Sequence, residues 1–455
     1  MGITIIQKSD LTRKKPNARI ALVLAGGAIS GGTFKVGGLK ALNDFLGNRK
    51  VTDFDIYVGT SAGAFLAAPL AGGISPEEIL RSLDGSSEYF SQLAPLHLYT
   101  PNLKEMIGRP IKYLYRRLSY VPEIAWDVVS SMPRLGGTLK EAVAQLLSRP
   151  TYSEVEQILK PLARVIYTSR QMPSVASALP SGIFDNAPIE KYLRENMKRN
   201  HLSNNFKVLK KLRGKSLYCI ATNLDTAEKV IFGHDEHNDV TISEAVQAST
   251  ALPVFYKPAR LKGVDYTDGS VRRSANVGVA VAKGADLIIC YNPFRPFHNK
   301  LVLEYFKEKD KYISRNPRIS DGGVLMVLNQ VFRTLLHSRL HLGLEEIRRD
   351  KNFQGDVIMI EPRQDEFDFF EMNPLGFWNR ARAAKLGFFS VKNSIEGRFD
   401  EISRILASYG IEMTREMVTM DSKRLTGNQT DDEAIFDVLE NEPRRRKLKV
   451  VAGGK

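Results

Sequence analysis

The chain has 455 residues, 43% hydrophobic and 25% charged, the balance of a globular protein and not of a disordered or collagen-like one. Lysine and arginine outnumber aspartate and glutamate by 14 (65 against 51), which favours anionic partners. The two cysteines, Cys219 and Cys290, are too few for a disulfide framework or a cysteine metal cluster, and the length suffices for two or three structural units.

In chain order, residues 1–18 read as an N-terminal segment. Met1 to Lys15 contains no apolar core of signal-peptide length, and Gly2 lacks the Ser or Thr at position 6 that myristoylation needs. The expectation is a cytoplasmic chain, without signal peptide or transmembrane helix, able to sit peripherally on a membrane. A strand is expected over Arg19 to Ala25, closed by the glycine-rich turn Ala25 to Gly32, with a helix over Thr33 to Leu46. Such a loop lets backbone N–H groups converge on an anion. The anion is either the oxygen of a tetrahedral acyl intermediate or a nucleotide phosphate; against the latter, no Lys-Ser or Lys-Thr pair follows and the spacing is not G-x-G-x-x-G.

Next comes Gly59-Thr60-Ser61-Ala62-Gly63, between a strand-like run (Phe54 to Val58) and a helix-like one (Ala64 to Ala71). In that setting a G-x-S-x-G string becomes a nucleophile turn, with Gly59 and Gly63 allowing the sharp corner; the bland reading is a glycine turn in a buried α/β unit. Ile56 to Pro76 is free of charge, yet its glycines and prolines interrupt any membrane-spanning helix. Residues of about 86–180 mix aromatic, apolar and basic side chains (Tyr89, Leu96, Tyr113, Tyr115, Arg116, Arg117, Trp126) and read as a helical insertion gating lipid entry or packing on the core.

Further on, a segment from Leu261 to Thr267 ends in Asp268-Gly269, which alone is an ordinary turn dipeptide. Strand-like runs follow at Asp286 to Tyr291 and Val357 to Glu361, separated by helix-like stretches at 300–312 and 322–349. Residues 301–420 therefore read as a C-terminal extension partly completing the core of a 19–300 catalytic domain. From 421 to 455 a polar basic tail is expected, ending in Arg444-Arg445-Arg446-Lys447 and Lys449. Seven histidines leave a catalytic triad open, but His234 and His237 lie in a polar turn, His201 in a charged segment, and His337 and His341 four apart on one helix face, the settings of surface or packing residues.

Taken together, these segments resemble the patatin-like phospholipases. The resemblance is carried by GTFKVGGLKAL (32–42) after the glycine loop, GTSAG (59–63), YCIATNLDTAEKVIFG (218–233), ASTALPVFYKP (248–258) and DYTDGSV (265–271). It implies an α/β fold with a mostly parallel central sheet flanked by helices, and a two-residue dyad with Ser61 as nucleophile and Asp268 as general base, Asp265 being the competitor. It also implies an oxyanion site drawn from Gly26, Gly27, Ala28, Gly31 and Gly32, in a loop that departs from the family by lacking its arginine. The implied activity is hydrolysis of a phospholipid or other acyl lipid at an anionic membrane surface, without cofactor, metal or nucleic acid. A lipid acyltransferase, a Ser-His-Asp esterase and a catalytically silent lipid-binding protein are the alternatives. The sequence is silent on oligomeric state.

Overall fold

The computed structural model describes residues 2–148, 156, 174–306, 311–314, 317–427 and 432–440. Its centre is a nine-stranded sheet ordered β1 (Ile3–Gln7), β13 (Asp356–Ile360), β10 (Leu287–Tyr291), β2 (Ile20–Leu24), β3 (Ile56–Thr60), β5 (Ser216–Asn223), β9 (Val264–Asp268) and β8 (Ala259–Leu261), with β6 (Lys229–Gly233) also paired to β5. From β13 across to β5 all neighbours are parallel. At the two sides β1, β6, β8 and β9 pair antiparallel. The parallel strands read as near-continuous apolar runs because they are covered on both faces: every residue of β2, β3, β10 and β13 is buried.

Helices cover the sheet: α1 (Ala28–Phe45) and α2 (Ala62–Gly72) follow β2 and β3, and α3 (Pro76–Asp84) comes next. An antiparallel pair, β11 (Leu303–Phe306) with β12 (Lys311–Ser314), and the short strands β4 (Gly182–Phe184) and β7 (Val254–Tyr256) lie outside the central sheet. The chain divides into two compact units, one of residues 1–100 and 185–455, the other of residues 101–184. The second unit carries α4's successor, the 46-residue α5 (Leu103–Ser148), where α4 is Pro95–Tyr99.

Three elements differ from the sequence reading. The described residues of 300–312 include no helix: 303–306 and 311–314 pair antiparallel as β11 and β12, since a short apolar run does not by itself distinguish helix from strand. The N-terminal segment contains a strand that the sequence reading did not include: β1 pairs antiparallel with β13 and closes one side of the sheet. The chain beyond 421 is not a plain tail either. Helices Glu416–Gly427 and Asp432–Leu439 bury Asp421, Leu425, Ile435, Phe436 and Leu439; the arginine cluster 444–447 and Lys449 lie outside the described residues.

Candidate active site

Register brings the two dyad candidates together. Thr60 of β3 pairs with Ile220 of β5, and Asp268 of β9 pairs with the next β5 residue, Ala221. With β5 between them, the backbones of Ser61 and Asp268 stand two strand spacings apart, about 10 Å, a gap that facing side chains close. Ser61 itself sits at the corner where β3 becomes α2, with φ 56° and ψ −129°. Positive φ in a non-glycine residue is a strained conformation of about 1–3 kcal/mol, characteristic of functional turns. The corner tolerates no side chain at its flanking glycines: a Cβ on Gly63 would collide with the carbonyls of Leu24 and Ala25, and one on Gly59 with the backbone of Ala64.

A second serine braces the corner. The Ser61 N–H donates to Ser249 Oγ at 2.8 Å, and that hydroxyl donates in turn to the Ile220 carbonyl at 2.6 Å. Asn276 Nδ2 donates to Thr60 Oγ1 at 3.0 Å, fixing the residue before the nucleophile candidate.

Asp268 is fully buried. Its Oδ1 accepts the Ser270 N–H at 2.7 Å, and its backbone N–H donates to the Ala251 carbonyl at 2.9 Å. Oδ2 has no hydrogen-bond partner of ordinary geometry among the described residues. Burial pushes the carboxyl above the usual carboxylate range, and the Ser61 hydroxyl is the foremost group pulling it back. The rival Asp265 is engaged elsewhere, held by a two-pronged ion pair with Arg260 at 2.7 and 2.6 Å.

The glycine loop sorts its own donors. Gly26 N–H donates to Ser274 O at 3.1 Å, Gly31 N–H to Gly27 O at 2.9 Å, and those of Ile29 and Ser30 to Pro374 O at 3.0 Å. Gly26 and Gly31, expected among the oxyanion groups, are thus already engaged. Gly27 and Ala28 N–H make no such bond among the described residues. Ala28 occupies φ 51°, the left-handed region that favours glycine and strains other residues. Gly32 lies one turn into α1, where a Cβ would touch that of Ala62 at 3.4 Å.

Lys35 went unnoticed in the sequence. On the buried face of α1 it is fully enclosed, its Nζ donating to the Ala25 carbonyl at the head of the loop. Desolvation lowers its pKa to about 7, with the Asp268 charge opposing. The signal was present as one lysine between Phe34 and Val36 in an otherwise uncharged run. Ser249 likewise lay within the ASTALPVFYKP match without a role.

Ser61, Ala28, Ala62 and Gly32 open onto an apolar cavity walled by residues such as Phe65, Leu83 and Phe377. No histidine lines it among the described residues. His97 Nδ1 instead accepts the Ala94 N–H at 2.9 Å, and His234 packs on Tyr218.

This sheet, with a serine corner beside a glycine loop and a buried aspartate across one strand, defines an α/β protein with a candidate nucleophile site. A family model described as patatin-like phospholipase matches residues 22–123 and 130–281. The chain belongs to the patatin-like phospholipase family, and membership supports a lipid hydrolase. Among solved structures it is similar to VipD from Legionella pneumophila (18% identity, 87% of this chain and 70% of that one, TM-score 0.36). It is also similar to full-length ExoU from the type III secretion system of Pseudomonas aeruginosa, solved in complex with SpcU (14%, 96% and 69%, TM-score 0.27). Human GIVD cytosolic phospholipase A2 in complex with methyl gamma-linolenyl fluorophosphonate is a third (11%, 86% and 59%, TM-score 0.26). These likenesses are loose, and the assignment rests on the family match.

Proposed function

We propose that the protein hydrolyses acyl esters of phospholipids or related lipids through a Ser61–Asp268 dyad. The observation that carries this reading is the unpartnered, buried Oδ2 of Asp268 beside the Ser61 hydroxyl at the mouth of an apolar cavity. Ser61 attacks the ester carbonyl while its proton passes to Asp268 Oδ2. The tetrahedral oxyanion is received by the N–H groups of Gly27 and Ala28, with that of Ala62, the first residue of α2, as a further donor. Collapse expels the lipid alcohol, which regains the proton from Asp268. Water, deprotonated by Asp268, then releases the fatty acid from Ser61. A carboxylate is a weak base in water, and burial is what strengthens this one. The cavity suits an acyl chain and excludes water around the reacting bond.

The test is mass spectrometry of lipid products from anionic vesicles, run beside labelling with a serine-reactive fluorophosphonate. Wild type is expected to release free fatty acid and to be labelled at Ser61. Ser61→Ala abolishes both, and Asp268→Asn lowers turnover by at least about 10³-fold. Near-normal turnover in Asp268→Asn, with loss on a single His→Ala change, would overturn the dyad in favour of a triad. Acyl transfer to an added lysolipid in preference to water would make the protein a transferase, and no labelling at all would mark it as catalytically silent.

A further inference from the structure

Away from the apolar cavity, three side chains capable of binding a metal converge at the carboxyl ends of β10 and β13. His337 and His341 are one turn apart on the helix Gly323–Arg349, and Glu361 follows β13 directly. Their Nε2 atoms lie 3.0 Å apart; His337 Nε2 is 3.4 Å from Glu361 Oε1, and His341 Nε2 is 3.9 Å from Oε2. Three donors bound tetrahedrally to zinc at about 2.0–2.1 Å stand about 3.3 Å from one another. The observed separations bracket that value, so an ion fits with sub-ångström adjustment.

The surroundings suit a built site. Glu361 is 2% exposed and Asn292 is fully buried. Asn292 Nδ2 donates to Glu361 Oε1 at 2.8 Å, orienting the carboxylate as outer-shell partners of metal ligands do. A Nε2-to-Nε2 contact requires one imidazole to present a lone pair to the other, whereas an ion between them uses both lone pairs. The His341 side chain is 42% exposed, leaving a side open for a fourth ligand from solvent. Two imidazoles with one carboxylate select a borderline transition ion over calcium or magnesium.

We propose that His337, His341 and Glu361 bind one zinc-type divalent ion. None of the three lines the apolar cavity, so the ion lies off the acyl path. It ties the helix Gly323–Arg349 to the sheet next to the glycine loop, since Tyr291 at the end of β10 accepts the Ala25 N–H at 3.1 Å. This inference does not depend on the acyl-hydrolase reading, and its test reads metal and not turnover.

Untagged full-length protein, freed of metal with a chelator, is titrated with Zn(II) against a chromogenic competitor and with Co(II) under absorption spectroscopy. One equivalent per chain is expected to bind in the micromolar range or tighter, with visible Co(II) bands of a four- or five-coordinate nitrogen and oxygen set and a rise in melting temperature with Zn(II). His337→Ala and His341→Ala each weaken Zn(II) at least ten-fold, and Asn292→Ala weakens it about ten-fold. Absence of saturable micromolar binding, a six-coordinate aquo-like Co(II) spectrum, or unchanged affinity in both histidine variants would overturn the site. Should a variant not fold, the wild-type Co(II) spectrum decides alone.

Discussion

At the scale of single residues, the unusual feature is a lysine and an aspartate buried together behind a serine. Lys35 and Asp268 are both fully buried, and each favours the charged form of the other. A protonated Lys35 lowers the pKa of Asp268, so Lys35→Met raises it. If Asp268 must lose its proton to act, activity climbs as pH rises through that pKa, and in the variant the climb moves to higher pH. Lys35 in the wild type is itself losing charge at about pH 7, so the two profiles converge well above neutrality. A pH profile of kcat/KM in both proteins checks this, and superimposable acid limbs would dismiss Lys35 from any part in tuning the base. Ser61 and Asp268 were legible in the sequence because motifs mark them. Lys35 was not: nothing in a lone lysine tells whether its helix face looks to water or to a carboxylate two hundred residues away.

At the scale of elements, legibility followed burial. The strands at Ile20–Leu24, Ile56–Thr60, Leu287–Tyr291 and Asp356–Ile360 are mostly apolar and wholly enclosed, so their sequences announce them. The edge strand Ile3–Gln7 is only partly buried and lies beside a charged stretch, and strand Leu303–Phe306 exposes Leu303 and Tyr305; both lack that signature. The C-terminal helices were hidden for another reason. Polarity begins near residue 421, yet Asp421 is the buried anchor: Lys40 Nζ in α1 is 2.9 Å from Asp421 and 2.6 Å from Asp44, all three nearly inaccessible. Removing one partner from a buried cluster leaves charge uncompensated. Asp421→Ala is therefore expected to destabilise the fold by about 3 kcal/mol, read as a lowered midpoint in urea unfolding. A midpoint within error of wild type would mean that the helix Glu416–Gly427 is not held to α1 by this contact.

At the scale of the whole molecule, a net charge of +14 must be reconciled with a lipid substrate, and α5 offers the means. Leu103, Ile107, Ile111, Leu114 and Leu118 recur at helical spacing, each 56–68% exposed. Lys104, Arg109, Lys112, Arg116 and Arg117 interleave with them. Apolar residues on one stripe with basic neighbours are a pattern suited to a bilayer interface, and no described helix is long and apolar enough to cross a membrane. Each basic group near an anionic bilayer contributes about 1 kcal/mol. Neutralising Arg116 and Arg117 together, as Arg116→Gln with Arg117→Gln, is thus expected to weaken binding to phosphatidylserine-containing vesicles about 30-fold, with little effect on neutral vesicles. Raising ionic strength from about 0.1 M to about 0.5 M weakens the wild type in the same direction, because screening shortens the reach of these charges. Vesicle sedimentation measures both. Binding that ignores salt and the double substitution alike would place the membrane contact on another surface, leaving the apolar stripe of α5 to a different partner.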